Sequence, residues 1–356
     1  MQCVTTSQEV IEGLIKLPNG FANAQELWFN YTYPQYLTIL DKDDSKEAVC
    51  RVLEAIENLC PKVGTSLLPE AQMNSLVEKL KTLLNETAAC QREGDETEGD
   101  HDELIMGDLT DTIQALAKTW GEGFKPYLLQ LLPLFSKFTG DSRNSRDRNL
   151  FAGCLADTLK QIPSLASEYS NEISGLAVRN IQSGEEYLYR NSVYLLGVLC
   201  EVVPNLASSY SQYLGVIEKL FTEEQEPGIK DNAVAAVCRM IYTSPNAVPL
   251  SQVLTYVFKE IPLKEDYEEM ETVLKCLVFL YENNYEMGNN EGLTIQVFMD
   301  GIITQSQKPD KYKLNNEVLQ RIKTILKGLK DTPAFQEVGS KLSVENQQLL
   351  SQILSN

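Results

Sequence analysis

The chain has 356 residues, and its 31 basic against 50 acidic residues give a formal net charge of −19. This balance excludes a protein that coats nucleic acid, which needs a basic face, and it favours basic partners. The single histidine, His101, leaves most histidine-dependent acid–base and nucleophilic chemistry without its usual residue. We therefore expect no enzymatic activity, no cofactor and no metal site.

The cysteines and the apolar residues indicate a reduced, helical globular protein. Apolar residues make up 43% of the chain, which is enough for a substantial core. The eight cysteines contain no C-x-x-C pair, and most lie in apolar helical patterns, as in Leu195 to Cys200. They are therefore interpreted as buried thiols rather than as disulfides or zinc ligands.

Helical periodicity runs along the whole chain, and short clusters of Pro, Gly, Asn and Asp separate the predicted helices. The last predicted helix begins after Ser343, which is a suitable N-cap. The pattern predicts about seven helix pairs followed by a C-terminal helical cap. In chain order the pairs are 24–60, 70–121, 124–162, 165–203, 206–244, 247–284 and 291–329, and the cap is 332–354.

An internal repeat of about forty residues supports this division. The segment Pro163–Ser170, PSLASEYS, recurs as Pro204–Ser211, PNLASSYS, at an offset of 41 residues. Two-helix units of this period are typical of HEAT and armadillo repeats, which stack because a single pair cannot bury its apolar faces. The sequence therefore predicts an all-α HEAT-repeat α-solenoid, with residues 1–356 forming a single array.

One acidic stretch interrupts the second pair. Residues 93–103 hold seven acids in eleven positions, together with glycine and threonine. Such a composition cannot bury apolar surface, so we interpret residues 92–106 as a disordered loop inserted within a repeat.

Polar residues recur at the predicted start of each second helix and form what we call the polar ladder. An asparagine amide offers a donor and an acceptor, which suits the backbone of an extended peptide on the concave surface. The alternative is a structural ladder in which each residue bonds a neighbouring helix or loop. The ladder consists of Glu47, Asp111, Asn149, Asn191, Asn232, Glu271 and Asn316.

Acidic residues near two of these positions predict a pocket for a lysine side chain. Carboxylates of Asp231, Glu268, Glu269 and Glu271 on adjacent repeats would create a negative concavity. The alternative is that they are ordinary solvated residues at helix starts, where acids favour the helix dipole. Two tyrosines, Tyr187 and Tyr194, are candidates to flank the lysine stem or stack on an arginine, although Tyr194 equally suits the core.

Three segments resemble a known family: Arg190–Cys200, Asp231–Met240 and Phe124–Pro133. They are similar to the C-terminal HEAT repeats of karyopherin-β nuclear transport receptors, in particular the importin-four type and its fungal counterpart, which import histones and ribosomal proteins. The resemblance is strongest over residues 108–245. It implies that the chain is the C-terminal portion of a longer receptor that shuttles between cytoplasm and nucleus.

The resemblance also implies the partners. They are basic, lysine-rich nuclear localisation signals, of histones and ribosomal proteins, bound on the acidic concave surface. For a full-length receptor they also include phenylalanine-glycine nucleoporins and Ran-GTP, with Ran bound mainly by N-terminal repeats; neither nucleic acid nor a membrane is a partner. The alternative hypothesis is a HEAT scaffold subunit of a multiprotein complex without a transport role.

Overall fold

The structure is a computed structural model that describes residues 2–92, 99–223, 225–285 and 290–355. Throughout these ranges the regular secondary structure is helical, and no strand occurs in them. Contacts between the helices divide the chain into two compact units, which we call unit 1 (Met1–Tyr169) and unit 2 (Ser170–Asn356).

In its described residues, unit 1 contains an N-terminal helix followed by three helix pairs. The first member of the first pair is α2, which continues through a π-helical turn at Trp28–Thr32 into α3, and its second member is α4. The next pairs are α5 with α6 and α7 with α8. The helices are α1 (Gln2–Ile15), α2 (Gly20–Leu27), α3 (Tyr33–Lys42), α4 (Lys46–Val63), α5 (Glu70–Leu84), α6 (Gly99–Trp120), α7 (Lys125–Thr139), α8 (Ser145–Gln161) and α9 (Pro163–Glu168).

In its described residues, unit 2 contains four helix pairs and a terminal helical piece. The helices are α10 (Ser170–Gln182), α11 (Tyr189–Val202), α12 (Tyr210–Thr222), α13 (Pro227–Thr243), α14 (Leu250–Glu260), α15 (Met270–Glu282), α16 (Glu291–Gln307), α17 (Pro309–Tyr312), α18 (Asn316–Leu329), α19 (Pro333–Ser340) and α20 (Val344–Ser355). The pairs are α10 with α11, α12 with α13, α14 with α15, and α16 with α18. The helices α19 and α20 follow them.

The predicted fold class is confirmed, including the helix pairs and the C-terminal cap. Ser343 caps α20 as predicted, because its Oγ accepts a hydrogen bond from the backbone N–H of Asn346 at 3.2 Å. Trp28 is 2% exposed, and its indole Nε1–H donates to the carbonyl of Leu67 at 2.7 Å. Whether residues 1–356 form one array stays a prediction.

The predicted boundaries of the acidic loop are wrong at the C-terminal side. Residues 93–98, for which disorder is predicted, lie outside the described residues. Residues 99–106, however, belong to α6, and Ile105 and Met106 are 0% and 4% exposed. The helix extends into the acidic stretch because these two apolar side chains are buried in the unit.

The second helix of each pair forms the interior of its unit. Within unit 1, α4 packs on α6 and α6 on α8; within unit 2, α11 packs on α13 and α13 on α15. As a result, α13 is buried almost all round, from Gly228 to Ile241. A helix enclosed in this way leaves few side chains exposed, and its polar residues, such as Asp231 and Arg239, are buried as well.

Two second helices, α11 and α13, approach each other closely at Gly197. A Cβ atom added to Gly197 would lie 2.7 Å from the Cα atom and 2.8 Å from the Cβ atom of Ala236. Both helices are regular at this point, so the backbones are held together by the absence of a side chain on Gly197. Gly215 on α12 provides a contrast, since a Cβ atom added there would meet no atom within 4 Å.

We expect Gly197→Ala to destabilise the protein and Gly215→Ala to stabilise it slightly. Alanine favours a helix over glycine by about 0.5–1 kcal/mol, which is the whole effect expected at Gly215. At Gly197 the clash with Ala236 should outweigh this gain and cost about 1–3 kcal/mol. Urea unfolding of both variants provides the measurement; equal midpoints for the two would contradict the close approach.

Candidate functional site

The polar ladder predicted from the sequence lies where the helix pairs place it, with one exception. Glu47, Asn149, Asn191, Asn232, Glu271 and Asn316 lie in the first two turns of second helices. Asp111 lies in the middle of α6, so its predicted position at a helix start is wrong. The reason is that α6 begins at Gly99, well before the position that the predicted loop allowed.

Asp231 on α13 organises the connection between α14 and α15. It is 1% exposed, and its Oδ2 accepts hydrogen bonds from the backbone N–H groups of Lys264, Glu265 and Asp266 at 2.9, 2.7 and 3.0 Å. Consecutive backbone donors are satisfied by one carboxylate, which is a strong arrangement because the acceptor is charged. In this structure Asp231 therefore supports a loop of the neighbouring repeat.

Asn232 also forms a hydrogen bond with the connection between α14 and α15. It is 5% exposed, and its Nδ2 donates to the carbonyl of Gly228 at 2.9 Å and to the carboxylate of Asp266. The guanidinium of Arg190 on α11 also binds Asp266, with Nε donating to Oδ2 at 3.0 Å. Asp266 thus binds both Arg190 of α11 and Asn232 of α13, and Asn232 bonds a neighbouring loop, as the structural alternative for the ladder supposed.

Glu269 and Tyr194 surround an arginine of the chain itself. Arg239 on α13 is 2% exposed; its Nε donates to Glu201 Oε2 and its Nη2 to Glu269 Oε1, both at 2.9 Å. Its guanidinium carbon lies 5.3 Å from the centre of the Tyr194 ring. Tyr194 therefore stacks on an arginine, as one of its predicted roles required, but this arginine belongs to the same unit.

The remaining predicted residues are more exposed. Glu268 forms an exposed ion pair with Lys313, and Glu271 accepts a hydrogen bond from the backbone N–H of Asn315 at 3.1 Å. The N-cap of α18 is Asn315 and not the ladder residue Asn316: its Oδ1 accepts a hydrogen bond from the backbone N–H of Val318 at 2.9 Å. Tyr187 is 56% exposed. Of the others, Asn316 is exposed, and Asn149 and Asn191 are half-buried.

These contacts change the electrostatics of the predicted lysine pocket. The carboxylates of Asp231, Glu269 and Glu271 already bind donors of their own unit, and Glu268 has a cationic partner. They therefore do not form a pocket of unpaired carboxylates. Cargo binding by this set stays a prediction.

A second group of acids lies in unit 1, and we call it the acidic row. It lies on three successive second helices, α4, α6 and α8. Because α6 packs against both α4 and α8, the carboxylates of neighbouring helices come within electrostatic range of one another. The row consists of Glu54, Glu57, Asp108, Asp111 and Asp157.

Burial, and after it the neighbouring negative charges, raise the pKa values of two acids of the row. The pKa of Glu57 is raised above its ordinary value by burial and then by the negative charges of Asp111, Asp108 and Glu54. The pKa of Asp111 is raised by burial and then by Asp108 and Asp157. Each carboxylate therefore makes its neighbours harder to ionise.

Described residues of α4 offset part of the negative charge of Glu54 and Asp108. Arg51 Nη1 lies 2.6 Å from Glu54 Oε2, and the thiol of Cys50 donates to the carboxylate of Asp108. In the parts of the chain that the structure describes, Glu57, Asp108 and Asp111 form no ion pair with a lysine or arginine. Unit 1 thus presents negative charge that a cationic partner would offset.

The sequence contains a signal for the acidic row that the polar ladder did not use. Glu54 and Glu57 are three residues apart, as are Asp108 and Asp111, so each pair lies on one face of its helix. Searching for acids three apart in the middle of second helices, rather than at their starts, would have found both pairs.

Two further observations limit the chemistry of the chain. Among the described residues, no group of three His, Cys, Asp or Glu side chains is arranged to hold a metal ion. No helix within the described ranges is both long and apolar enough to cross a bilayer.

Comparison with known proteins shows which proteins the chain is similar to. No family model matches the chain. Over 261 residues it is 26% identical to human importin-4, an alignment that covers 70% of this chain and 24% of importin-4. Over 242 residues it is 28% identical to the probable importin subunit beta-4 of Schizosaccharomyces pombe, covering 67% of this chain and 22% of that protein.

Solved structures give the same result for the fold. The karyopherin Kap121p bound to the SUMO protease Ulp1p superposes with a TM-score of 0.77 at 16% identity, over 97% of this chain and 32% of Kap121p. Kap121p bound to RanGTP superposes with a TM-score of 0.74 at 16% identity and the same coverage. The chain spans about a quarter of the length of the importin-4 relatives and about a third of Kap121p.

The fold is thus a HEAT-repeat α-solenoid like that of the karyopherin Kap121p. The chain is importin-like, and its resemblance to karyopherin-β receptors of the importin-four type is confirmed.

We expect Asp231→Ala to destabilise the protein strongly, because three backbone N–H groups of the loop lose their acceptor. Leaving donors unsatisfied costs about 1–3 kcal/mol each when they are buried, so a total loss of at least about 2 kcal/mol is expected. The matched control is Glu268→Ala, whose exposed ion pair with Lys313 contributes about 0–1 kcal/mol. Urea unfolding measures both; equal losses would contradict the structural role of Asp231.

We expect Glu57→Gln to stabilise the protein at pH 7. Because the folded-state pKa of Glu57 is raised, the folded state binds more protons than the unfolded state between the ordinary and the raised value. The free energy of unfolding therefore falls as pH rises through this interval, and the full penalty is present at pH 7. The glutamine removes this penalty.

The measurement is the urea midpoint of wild type and Glu57→Gln from pH 7 to pH 4. The advantage of the variant should be largest at pH 7 and shrink as the pH approaches the ordinary pKa of glutamate. Glu26→Gln, at an exposed position on α2, is the control and should change little. A destabilised Glu57→Gln variant at pH 7 would show that the glutamate is compensated in the folded state.

Proposed function

We propose that the chain is part of a nuclear import receptor and binds basic, lysine-rich nuclear localisation signals of the kind found in histones and ribosomal proteins. The observation that carries the proposal is the acidic row, whose Glu57, Asp108 and Asp111 form no ion pair with described residues. The net charge of −19 supports the same polarity of partner.

The physical basis is relief of repulsion. Keeping several carboxylates ionised on adjacent helices costs free energy, as the raised pKa values of Glu57 and Asp111 indicate. A lysine ammonium placed among them would offset this cost and form charge-assisted hydrogen bonds. Because the row crosses three repeats, it suits an extended segment that presents several lysines in succession.

The residues predicted from the sequence enter the proposal according to their exposure. Tyr187, Glu268 and Asn316 are exposed and are available to a peptide, and half-buried Asn149 and Asn191 carry amide groups suited to its backbone. Asp231, Asn232, Tyr194, Glu269 and Glu271 act first as supports of the repeat, and binding by them stays a prediction.

An apolar groove supports phenylalanine-glycine nucleoporins as a further partner. The groove has a volume of about 650 Å³ and lies between the first helices α12 and α14. Its wall includes the rings of Phe221 and Tyr256, stacked with centres 5.5 Å apart. We propose that a phenylalanine side chain binds against this pair of rings, as a receptor that shuttles between cytoplasm and nucleus requires. Ran-GTP binding is proposed only for a full-length receptor.

The test is a titration of a lysine-rich, histone-tail-like peptide against the chain and a neutralised variant. In the triple variant Glu57→Gln, Asp108→Asn and Asp111→Asn, affinity should fall at least about tenfold, which corresponds to ~1.4 kcal/mol. Wild-type affinity should also fall from low to physiological salt, since exposed charges are screened over about 10 Å.

The control variant has the same net charge as the triple variant, but its three substitutions lie outside the acidic row. Glu26→Gln, Glu172→Gln and Glu345→Gln neutralise exposed acids outside the acidic row, and the affinity of this variant should stay close to wild type. Equal affinities for both triple variants would place the cargo surface elsewhere. Failure of the wild type to bind basic peptides at low salt, with capture of a folded partner instead, would favour the scaffold hypothesis.

A further inference from the structure

A small cavity in unit 2 lies apart from the surfaces described above. It has a volume of about 60 Å³ and is formed by the first helices α14 and α16, the loop after α14, and Met270 and Tyr312. Pro262 and Gln296 at its rim are exposed, whereas Met270 and Tyr312 at its floor are buried. The cavity is therefore open to solvent at one end and closed at the other.

The walls are apolar, with one acidic exception. The rings of Phe258, Pro262 and Tyr312 and the thioether of Met270 supply apolar surface. Asp300 on α16 is the acidic side chain of the lining, and it is half-buried. Its carboxylate accepts a hydrogen bond from Gln296, one turn earlier on the same helix.

No cation of the described chain compensates Asp300. Within the ranges that the structure describes, no lysine or arginine nitrogen forms an ion pair with its carboxylate. The Nζ of Lys311 lies over the rings of Tyr267 and Tyr312, 4.0 and 5.7 Å from their centres, and forms no ion pair with Asp300. Burial raises the pKa of Asp300, which agrees with a carboxylate that has lost water without gaining a cation.

We propose that this cavity binds a lysine side chain presented by a protein partner. The methylene stem would contact Phe258 and Met270, and the ammonium group would meet Asp300. An apolar wall ending in one carboxylate matches a side chain whose long apolar stem ends in one compact charge. A single carboxylate at the end of an apolar wall suits lysine better than arginine, whose planar guanidinium is wider and takes a carboxylate in two-point contact.

The site goes beyond the proposed cargo surface and does not depend on it. It lies between first helices of unit 2, whereas the acidic row lies on second helices of unit 1. A partner that fills it would provide a contact for a single lysine, with selectivity for the aliphatic stem as well as for the charge.

The experiment uses the full chain with ¹³C-labelled methionine methyl groups and n-butylammonium as the probe, since it reproduces the end of a lysine side chain. The Met270 resonance, assigned with Met270→Leu, should shift saturably at constant ionic strength. Asp300→Asn should weaken this binding about fivefold or more, because the ammonium loses its counter-charge. The neutral isostere n-butanol should bind more weakly than n-butylammonium to wild type.

Two controls separate the cavity from general charge effects. Asp310→Asn removes an exposed acid on α17 with the same change in net charge and should leave the Met270 response unchanged. An acetylated and amidated peptide with one lysine should compete with n-butylammonium, whereas the same peptide with norleucine should not.

The outcomes are distinguishable from those of the cargo test. Absence of a saturable Met270 shift in wild type, or equal affinity in Asp300→Asn, overturns the proposed pocket. The triple variant of the acidic row should keep the full Met270 response, whatever its affinity for the histone-tail-like peptide. A loss of the Met270 response in that variant would also overturn the independence of the site.

Discussion

The structure depends on the burial of each second helix between its neighbours. A helix pair of this length leaves one face of its second helix without a partner, and the next pair supplies it. The contact of Gly197 with Ala236 shows how close this approach becomes, and α13 shows its consequence, a helix buried on nearly every side. The first helices keep exposed surface for grooves and pockets.

The same stacking determines what polar residues can do. A polar side chain at the start of a second helix lies beside the loop of the next repeat, where backbone N–H groups need acceptors. Asp231 and Asn232 meet that need, and Arg239 is held between two glutamates of its own unit. Charged groups that bind partners within their own unit stabilise that unit and are less available to a binding partner.

Acids in the middle of second helices have no loop to support. In unit 1 they come together on adjacent helices, and the pKa values of Glu57 and Asp111 are raised. Asp300 is a different case, because a single carboxylate is enclosed by apolar walls rather than by other acids. The two arrangements suit different partners: the first a segment with many positive charges, the second one aliphatic stem with a terminal charge.

The helices, their pairing and the class of fold could be predicted from the amino-acid sequence. Helical periodicity, the repeated PSLASEYS segment and the capping residue Ser343 are local signals, and each depends on residues a few positions apart. The start of α6 was not predictable in this way, because burial of Ile105 and Met106 in the unit outweighs the acidic composition around them. Which acids are compensated was also decided only by tertiary structure. Asp231 and Asp108 are both aspartates of second helices. Asp231 accepts backbone hydrogen bonds from a loop that begins 33 residues away, whereas Asp108 lies within electrostatic range of Glu54 on α4.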